Sequence, residues 1–228
     1  MNPVYHPLNY SVLSSNLHLT QELAKFYCNI WENDERFDEY RKCPICNKYF
    51  GKKTVEIDGI TTCCGDDCLQ HSEADLIPVW NPESVAKNEL LGDSLMYGNN
   101  FFGVYATNGE FGKIIGFTWG WLETADCIEK RWKKEIATAL GNSSATYYSE
   151  IACDPGYRER KIGKELLKKL IQLFQESEPN LPSFLRTHKD SVAKTMFQKA
   201  GYQYFAEDPE HGCGRIMMMI KKAKDLTY

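Results

Sequence analysis

Apolar positions in this chain recur at two spacings, and the switches between them lay out an alternation of helices and strands. Leu23, Phe26, Tyr27, Ile30 and Trp31 fall on one helical face, with Thr20 as the expected cap of a helix that follows a strand at residues 8–13. Asn81-Pro82-Glu83-Ser84 starts a shorter helix with proline in its first turn. Two strands, 101–106 and 113–121, are joined through Asn108-Gly109. Ile128, Trp132, Ile136 and Leu140 are spaced four apart, which predicts a helix over 126–140 that Gly141 ends. A strand at 147–153 leads into the strongest helical stripe, Ile162, Leu166, Leu167, Leu170, Ile171 and Phe174, with Lys and Glu between. Residues 183–187 read as strand, 191–200 as helix, and 202–205 with 215–220 as a terminal strand pair in which Met217, Met218 and Met219 pack. No internal repeat, low-complexity tract or long linker interrupts this order.

Composition narrows the classes. With 228 residues, 43% of them hydrophobic and 13% aromatic, the chain has apolar mass for one sizeable core or two small ones, and disorder is excluded. Its 27 Lys and Arg against 31 Asp and Glu leave a net charge of −4, which disfavours nucleic acid as partner. No window approaches the roughly 18 apolar residues of a membrane span, and the start, Met1 to His6, lacks the apolar run of a signal peptide. The expectation is a cytoplasmic protein with no membrane partner.

Nine cysteines at uneven spacings, without a secretion signal, argue against a disulfide framework. Five of the nine lie in Cys43-Pro44-Ile45-Cys46 and Cys63-Cys64-Gly65-Asp66-Asp67-Cys68. A Cys-x-x-Cys knuckle aims two thiolates at one point, and a second pair can complete a tetrahedron around zinc. Between the pairs, alternation in Thr54 to Ile57, the turn Asp58-Gly59 and the return Ile60 to Thr62 predict a hairpin. So short a segment buries too little apolar surface to offset its ordering entropy, and metal would supply the missing stability. The pattern resembles a treble-clef or ribbon-type zinc module at 43–72, with Cys43, Cys46, Cys64 and Cys68 as ligands and Cys63 or His71 as substitutes. Such a closed site is structural.

Chemistry is expected at the strand-turn-helix unit from Glu150 to Lys164. Arg158, Arg160, Lys161, Lys164, Lys168 and Lys169 face only Glu159 and Glu165, an excess of four positive charges inside an acidic protein. A helix N-terminus presents unpaired N–H groups and partial positive charge, and cations around it make a receptor for phosphate or pyrophosphate. Gly163 lets backbone or ligand approach closely.

The segment Glu150 to Arg158 and the spacing Arg158-x-x-Lys161-x-Gly163 resemble the acyl-CoA-binding motif of the GNAT superfamily of N-acetyltransferases, and Leu185-Arg186-Thr187 with Ala193 to Tyr202 resembles the closing strand and helix of that superfamily. The resemblance implies an α/β fold with a mixed, mostly antiparallel sheet flanked by helices, the zinc module being inserted between residues 1–42 and 73–228 of the acyl-CoA-binding domain. It implies acetyl-CoA as co-substrate, direct transfer to a primary amine, and cofactor contacts from Ile151, Ala152, Cys153, Arg158, Glu159, Arg160, Lys161, Ile162, Gly163, Lys164, Ser191, Lys194 and Phe197. The first glycine of the usual pattern is Lys161 here, and the usual tyrosine of the last helix is Phe197, which has no proton to give to a thiolate.

Coenzyme A leaves as a thiolate of ordinary pKa near 8.5, so loss of that acid slows transfer without abolishing it. The amine must lose a proton before attack, and Glu150 is the first candidate base, with Tyr147 as the second catalytic candidate and Tyr148 and His188 behind it. A nucleophilic Cys153 with His188 as base is a less favoured reading. Acidic residues flanking the cysteines, Glu32, Asp34, Glu35, Asp38 and Glu39 before and Asp66, Asp67, Glu73 and Asp75 within or after, point to a cationic acceptor. The alternative is a weakly catalytic acyl-CoA-binding regulator whose zinc module recognises a protein or nucleic-acid partner.

Overall fold

The structure is a computed structural model, and it describes residues 2–33, 40–57, 59, 75–110, 112–132, 134–208 and 215–220. In chain order the elements are β1 (Val4–Leu8), α1 (Tyr10–Ser15), α2 (Leu17–Glu32), β2 (Arg41–Lys42), β3 (Tyr49–Phe50), β4 (Ile77–Pro78), α3 (Pro82–Val85), α4 (Asp93–Tyr97), β5 (Phe101–Thr107), β6 (Ile114–Glu123), α5 (Ala125–Trp132), α6 (Lys134–Ala139), β7 (Ala145–Cys153), α7 (Ile162–Ser177), β8 (Ser183–His188), α8 (Val192–Lys199), β9 (Gln203–Glu207) and β10 (Arg215–Ile220). Contacts divide the chain into two units, Met1–Val12 with Asp93–Tyr228, and Leu13–Gly92.

In the first unit seven strands form one sheet in the order β1-β5-β6-β7-β8-β10-β9. Every neighbouring pair is antiparallel except β7 and β8, which are parallel and joined through α7. A parallel pair needs such a crossover, since a tight turn cannot return the chain to the same end of the sheet. The mixed, mostly antiparallel α/β sheet expected from the sequence is therefore present.

Each face of the sheet has its own helices. The stripe on α7 packs Leu167, Leu170, Ile171 and Phe174 against Tyr148, Leu185, Ile216 and Met218, with Phe197, Ala200 and Tyr202 closing the cluster. Full burial of each such side chain stabilises by about 1.5–3 kcal/mol. On the other face the Trp132 ring of α5 lies 4.8 Å from Tyr147 and 5.7 Å from Phe184. Alternation along β7 thus sends Tyr147 to α5 and Tyr148 to α7.

The second unit holds α2 and a three-stranded sheet in the order β3-β2-β4. Leu23, Ala24, Tyr27, Cys28 and Ile30 of α2 are buried, and Tyr27 meets Trp31 and Trp80 edge to face. Around the cysteine knuckle a small cluster forms from Tyr40, Cys43, Phe50, Val55 and Leu76.

Three local expectations are corrected. Residues 8–13 are not one strand, because Asn9 Oδ1 accepts the Val12 N–H (3.0 Å) and starts α1 directly after β1. Thr20 is not the cap of α2; Asn16 caps it, accepting from Leu19 N, while Thr20 lies inside the helix and its hydroxyl donates to Leu13 O at 2.8 Å. The first strand of the hairpin expected from Thr54 is instead a π-helical turn at Lys53–Ile57, entered with Val55 N donating to Gly51 O and anchored by the Tyr40 hydroxyl donating to Glu56 at 2.7 Å. The proposed return at Ile60 to Thr62 lies outside the described residues. The helix expected over 126–140 runs as α5 and α6, and Gly141 ends it with φ +78°.

Gly120 on β6 lies against β7 so closely that a Cβ would overlap the Tyr147 carbonyl oxygen and come within 3.1 Å of Tyr148 Cα. Gly120→Ala is expected to destabilise the protein by about 2 kcal/mol or more, read as a lower urea midpoint at unchanged m-value.

Candidate active site

Strands β7 and β8 pair only through Thr146/Ser183, Tyr147/Phe184 and Tyr148/Leu185. Beyond that last pair β7 continues to Cys153 and β8 to His188 with no ladder between them. On its other edge β7 stays paired with β6, with a bulge between Tyr148/Gly120 and Glu150/Trp119 that leaves Ser149 over. The extra residue turns β7, as bulges do. Beyond Tyr148, β7 is therefore laddered to β6 but not to β8.

The chain leaves β7 through Asp154, whose side chain accepts the Gly156 N–H at 2.8 Å and meets Lys113 Nζ at 3.5 Å. A 3-10 turn over Pro155–Arg160 follows. The Arg160 guanidinium lies 4.9 Å over the Tyr157 ring, and Asn108 donates to the Tyr157 hydroxyl at 3.2 Å. Lys161 then takes the left-handed conformation, φ +61° and ψ +16°, and no side chain caps α7. The first bond back into the helix is Glu165 N to Lys161 O at 3.1 Å. The amides of Ile162, Gly163 and Lys164 thus open α7, and Arg158, Arg160, Lys161 and Lys164 around them are exposed. A helix start of this kind, with cations around it, suits an anion such as a phosphate group.

Gly163 needs no special backbone freedom: a Cβ there would meet only Met196 Sδ at 3.8 Å. The residue whose conformation calls for glycine is Lys161. Ser191 caps α8, accepting from Lys194 N at 3.0 Å and sharing a 2.7 Å hydroxyl bond with Thr187. Phe197 is 3% exposed, its ring 6.2 Å from Tyr148 and 5.3 Å from Tyr202.

Glu150 sits on the face of β7 turned from α7, since its neighbour Ile151 packs into the α7 clusters and its cross-strand partner is Trp119. Tyr147 shares that face, enclosed by Trp121, Trp132 and Phe184. Burial raises its phenol strongly, Glu150 and Asp208 add to the effect, and Arg186 and Arg131 oppose it, so it is a neutral hydroxyl at physiological pH. Burial pushes the Cys153 thiol up to about 11, with Asp154 adding and Arg158 opposing. Cys153 packs toward α7, whereas His188 follows Arg186 on the opposite face, so the reading of Cys153 as a nucleophile served by His188 gains nothing.

Sequence reasoning passed over Arg186, Arg131 and Asp208. Arg186 reaches 5.4 Å over the Trp132 ring and pairs with Asp208 at 3.7 Å, the Asp208 side chain being fully buried. The signal available was a charged residue, Arg186, directly after the buried apolar pair Phe184 and Leu185; nothing in the pattern marked Asp208.

In the second unit, Cys43-Pro44-Ile45-Cys46 forms a tight knuckle. Cys43 N donates to Lys48 O at 2.8 Å, Asn47 N to Cys43 O at 3.1 Å, and Asn47 has φ +61°. The amides of Ile45 and Cys46 point at Cys43 Sγ at 3.3 and 3.5 Å. Cys46 is exposed and in no disulfide. Cys63, Cys64, Cys68 and His71 lie outside the described residues, and among the described residues no group of three or more His, Cys, Asp or Glu gathers to hold a metal.

Residues 66–202, more than half of the chain, match the acetyltransferase (GNAT) family. The chain belongs to that family and is an acyltransferase of the GNAT type. Its fold is similar to that of the PaiA N-acetyltransferase of Thermoplasma acidophilum, solved with coenzyme A, at 15% identity over 96% of this chain and 98% of that one, TM-score 0.52. It is similar also to Arabidopsis thaliana NAA60 bound to a bisubstrate analogue, at 12% identity over 96% and 97%, TM-score 0.51. A GNAT-family acetyltransferase of Staphylococcus aureus Mu50 gives 15% identity over 96% and 99%, TM-score 0.53. No curated protein matches the chain at a significant level. Among the described residues no helix is long and apolar enough to cross a membrane.

A left-handed lysine costs about 1 kcal/mol that glycine does not. Lys161→Gly is expected to raise the urea midpoint by a corresponding amount in the ligand-free protein, net of glycine's greater freedom when unfolded.

Proposed function

We propose that this protein transfers an acetyl group from acetyl-CoA to a primary amine by direct attack. The observation that carries the reading is the parting of β7 and β8 directly before an uncapped, cation-ringed helix start. On this reading the pantetheine arm pairs with the main chain of Ile151, Ala152 and Cys153. The diphosphate meets the amides from Arg158 to Lys164, assisted by Arg160 or Lys161, and Ser191, Lys194 and Phe197 border the arm from α8.

Glu150 acts as base on the face turned from α7. It takes a proton from the ammonium, directly or through water, and the free amine adds to the thioester carbonyl. The tetrahedral intermediate collapses with cleavage of the C–S bond, the electron pair leaving on sulfur, and the nitrogen gives up its second proton to the departing thiolate or to water. Phe197 gives no proton there, and the low basicity of a thiolate makes that tolerable. The acceptor class is a small polyamine-like or aminoglycoside-like amine, or the lysine or N-terminal amine of a protein. Cys28, Cys127 and Cys153 are in no disulfide, which fits a reducing compartment and supports the cytoplasm as location.

The knuckle at Cys43 supports zinc as a structural ion held by Cys43, Cys46, Cys64 and Cys68. Its two amides aimed at one sulfur stabilise a thiolate, as a metal ligand requires.

Calorimetric titration with acetyl-CoA is expected to give one site per chain. Gly163→Glu leaves packing intact and puts a carboxylate among the diphosphate amides, which should weaken binding more than about tenfold. Free thiol release over a panel of amines tests turnover, and Glu150→Gln should lower kcat by about 10²-fold or more at unchanged acetyl-CoA affinity. Tight coenzyme binding with no turnover on any amine would favour the regulator. Metal analysis should find one zinc per chain, lost in Cys46→Ser together with thermal stability.

A further inference from the structure

The turn that leads into α7 is joined by a segment distant in sequence, the connection between β5 and β6. Tyr157, in that turn, packs against the cluster of Val104, Ala106, Ile115, Ile162 and Leu166. Its hydroxyl accepts from Asn108 at 3.2 Å, which ties the turn to the β5–β6 connection. Arg160 lies over the Tyr157 ring at 4.9 Å, and Lys113, directly before β6, lies over the same ring at 5.7 Å. One half-buried ring thus carries two cations from separate segments.

Lys113 also meets Asp154 Oδ2 at 3.5 Å, while Asp154 Oδ1 accepts the Gly156 N–H at 2.8 Å. Asp154 therefore shapes the turn with one oxygen and holds the ammonium beside it with the other. Lys113 is 64% exposed, and an ion pair of this kind adds little stability. The ring contact engages the Arg160 guanidinium without using its N–H donors. Among the described residues, Arg158, Arg160, Lys161 and Lys164 make no ion pair. With Lys113 they bring together more positive charge than a diphosphate neutralises.

We propose that Lys113 and Arg160, presented by Tyr157, bind a phosphate monoester of the ligand, the 3′-phosphate on the ribose of coenzyme A, and make the site selective for it. The proposal rests on the reading of acetyl-CoA as co-substrate. A phosphate monoester carries a charge of about −1.5 to −2 at pH 7 and three strong acceptor oxygens. An ammonium and a guanidinium with donors to spare match that group, and charge-assisted bonds of this kind are the stronger ones. On this assignment the monoester lies on the β5–β6 side of the turn, and Lys161 is the cation left to assist the diphosphate. Tyr157 is the positioning residue: its ring places Arg160, and its hydroxyl joins the two segments that supply the cations.

The test is calorimetric titration of the full chain at low salt with acetyl-CoA and, separately, with 3′-dephospho-acetyl-CoA. The wild type is expected to bind acetyl-CoA about tenfold or more tighter, the worth of a hydrogen bond to a charged group. Lys113→Ala and Arg160→Ala should each reduce that ratio to about threefold or less, with little loss for the dephospho ligand, and Lys113→Arg should keep it. Tyr157→Leu, which retains an apolar seat without an aromatic face, should lower the ratio as Arg160→Ala does, and adding Arg160→Ala to it should lower it no further. A merely structural role would weaken both ligands alike and leave the ratio unmoved. Equal affinity of the wild type for the two ligands overturns the proposal and leaves the acetyl-CoA reading intact. A ratio unmoved in both Lys113→Ala and Arg160→Ala overturns it equally. Binding of neither ligand by the wild type removes the acetyl-CoA reading, and the proposal falls with it.

Discussion

The site depends on β7 and β8 ceasing to pair after Tyr148 and Leu185. Two parallel strands would ordinarily continue their ladder, because unpaired main-chain groups are costly away from water. Here packing on both faces fixes where they part. The Tyr147 ring is locked beneath Trp132 and Phe184, and the Tyr148 ring beneath Phe174 and Phe197. Immediately after this doubly held pair of residues the Ser149 bulge turns β7, accommodated by the absence of a side chain at Gly120. What remains is a stretch of β7 that β8 no longer pairs, leading to the turn before α7.

The turn into α7 carries its own compromise. A left-handed residue is needed to swing the chain from the 3-10 turn into the helix, and lysine occupies it at a cost in backbone energy. In return the turn gains a charge among Arg158, Arg160 and Lys164, where a diphosphate would rest. Stability and anion recognition pull in opposite directions at this single position, which is why the departure from glycine is informative rather than accidental in its effect.

Much of the architecture was legible because long periodic segments leave little choice. The stripe from Ile162 to Phe174 is helical in any arrangement that buries it, and 101–106, 113–121 and 147–153 each lie within an observed strand or differ from it at one end. The GNAT resemblance rested on residues 150–163 and 185–202, both inside the matched span. Short segments were less constrained. Val4–Leu8 and Tyr10–Ser15 were merged because Asn9 as a cap is a local hydrogen bond, not a pattern. Thr54 to Ile57 alternates like a strand, yet the deep burial of Val55 is satisfied equally well by a helical turn.

Sequence by itself determined the order of elements, the positive charge at the start of α7 and the Cys-x-x-Cys knuckle, since each is carried by neighbours along the chain. Tertiary structure alone decided that Lys161 is left-handed, that β7 and β8 separate at Tyr148 and Leu185, and that Arg186 and Asp208 meet beside the Trp132 ring that packs on Tyr147. These residues come from α5, two central strands and the end of β9. Their proximity follows from the strand order β7-β8-β10-β9 and from which face each side chain takes, and neither is written in any local stretch of residues.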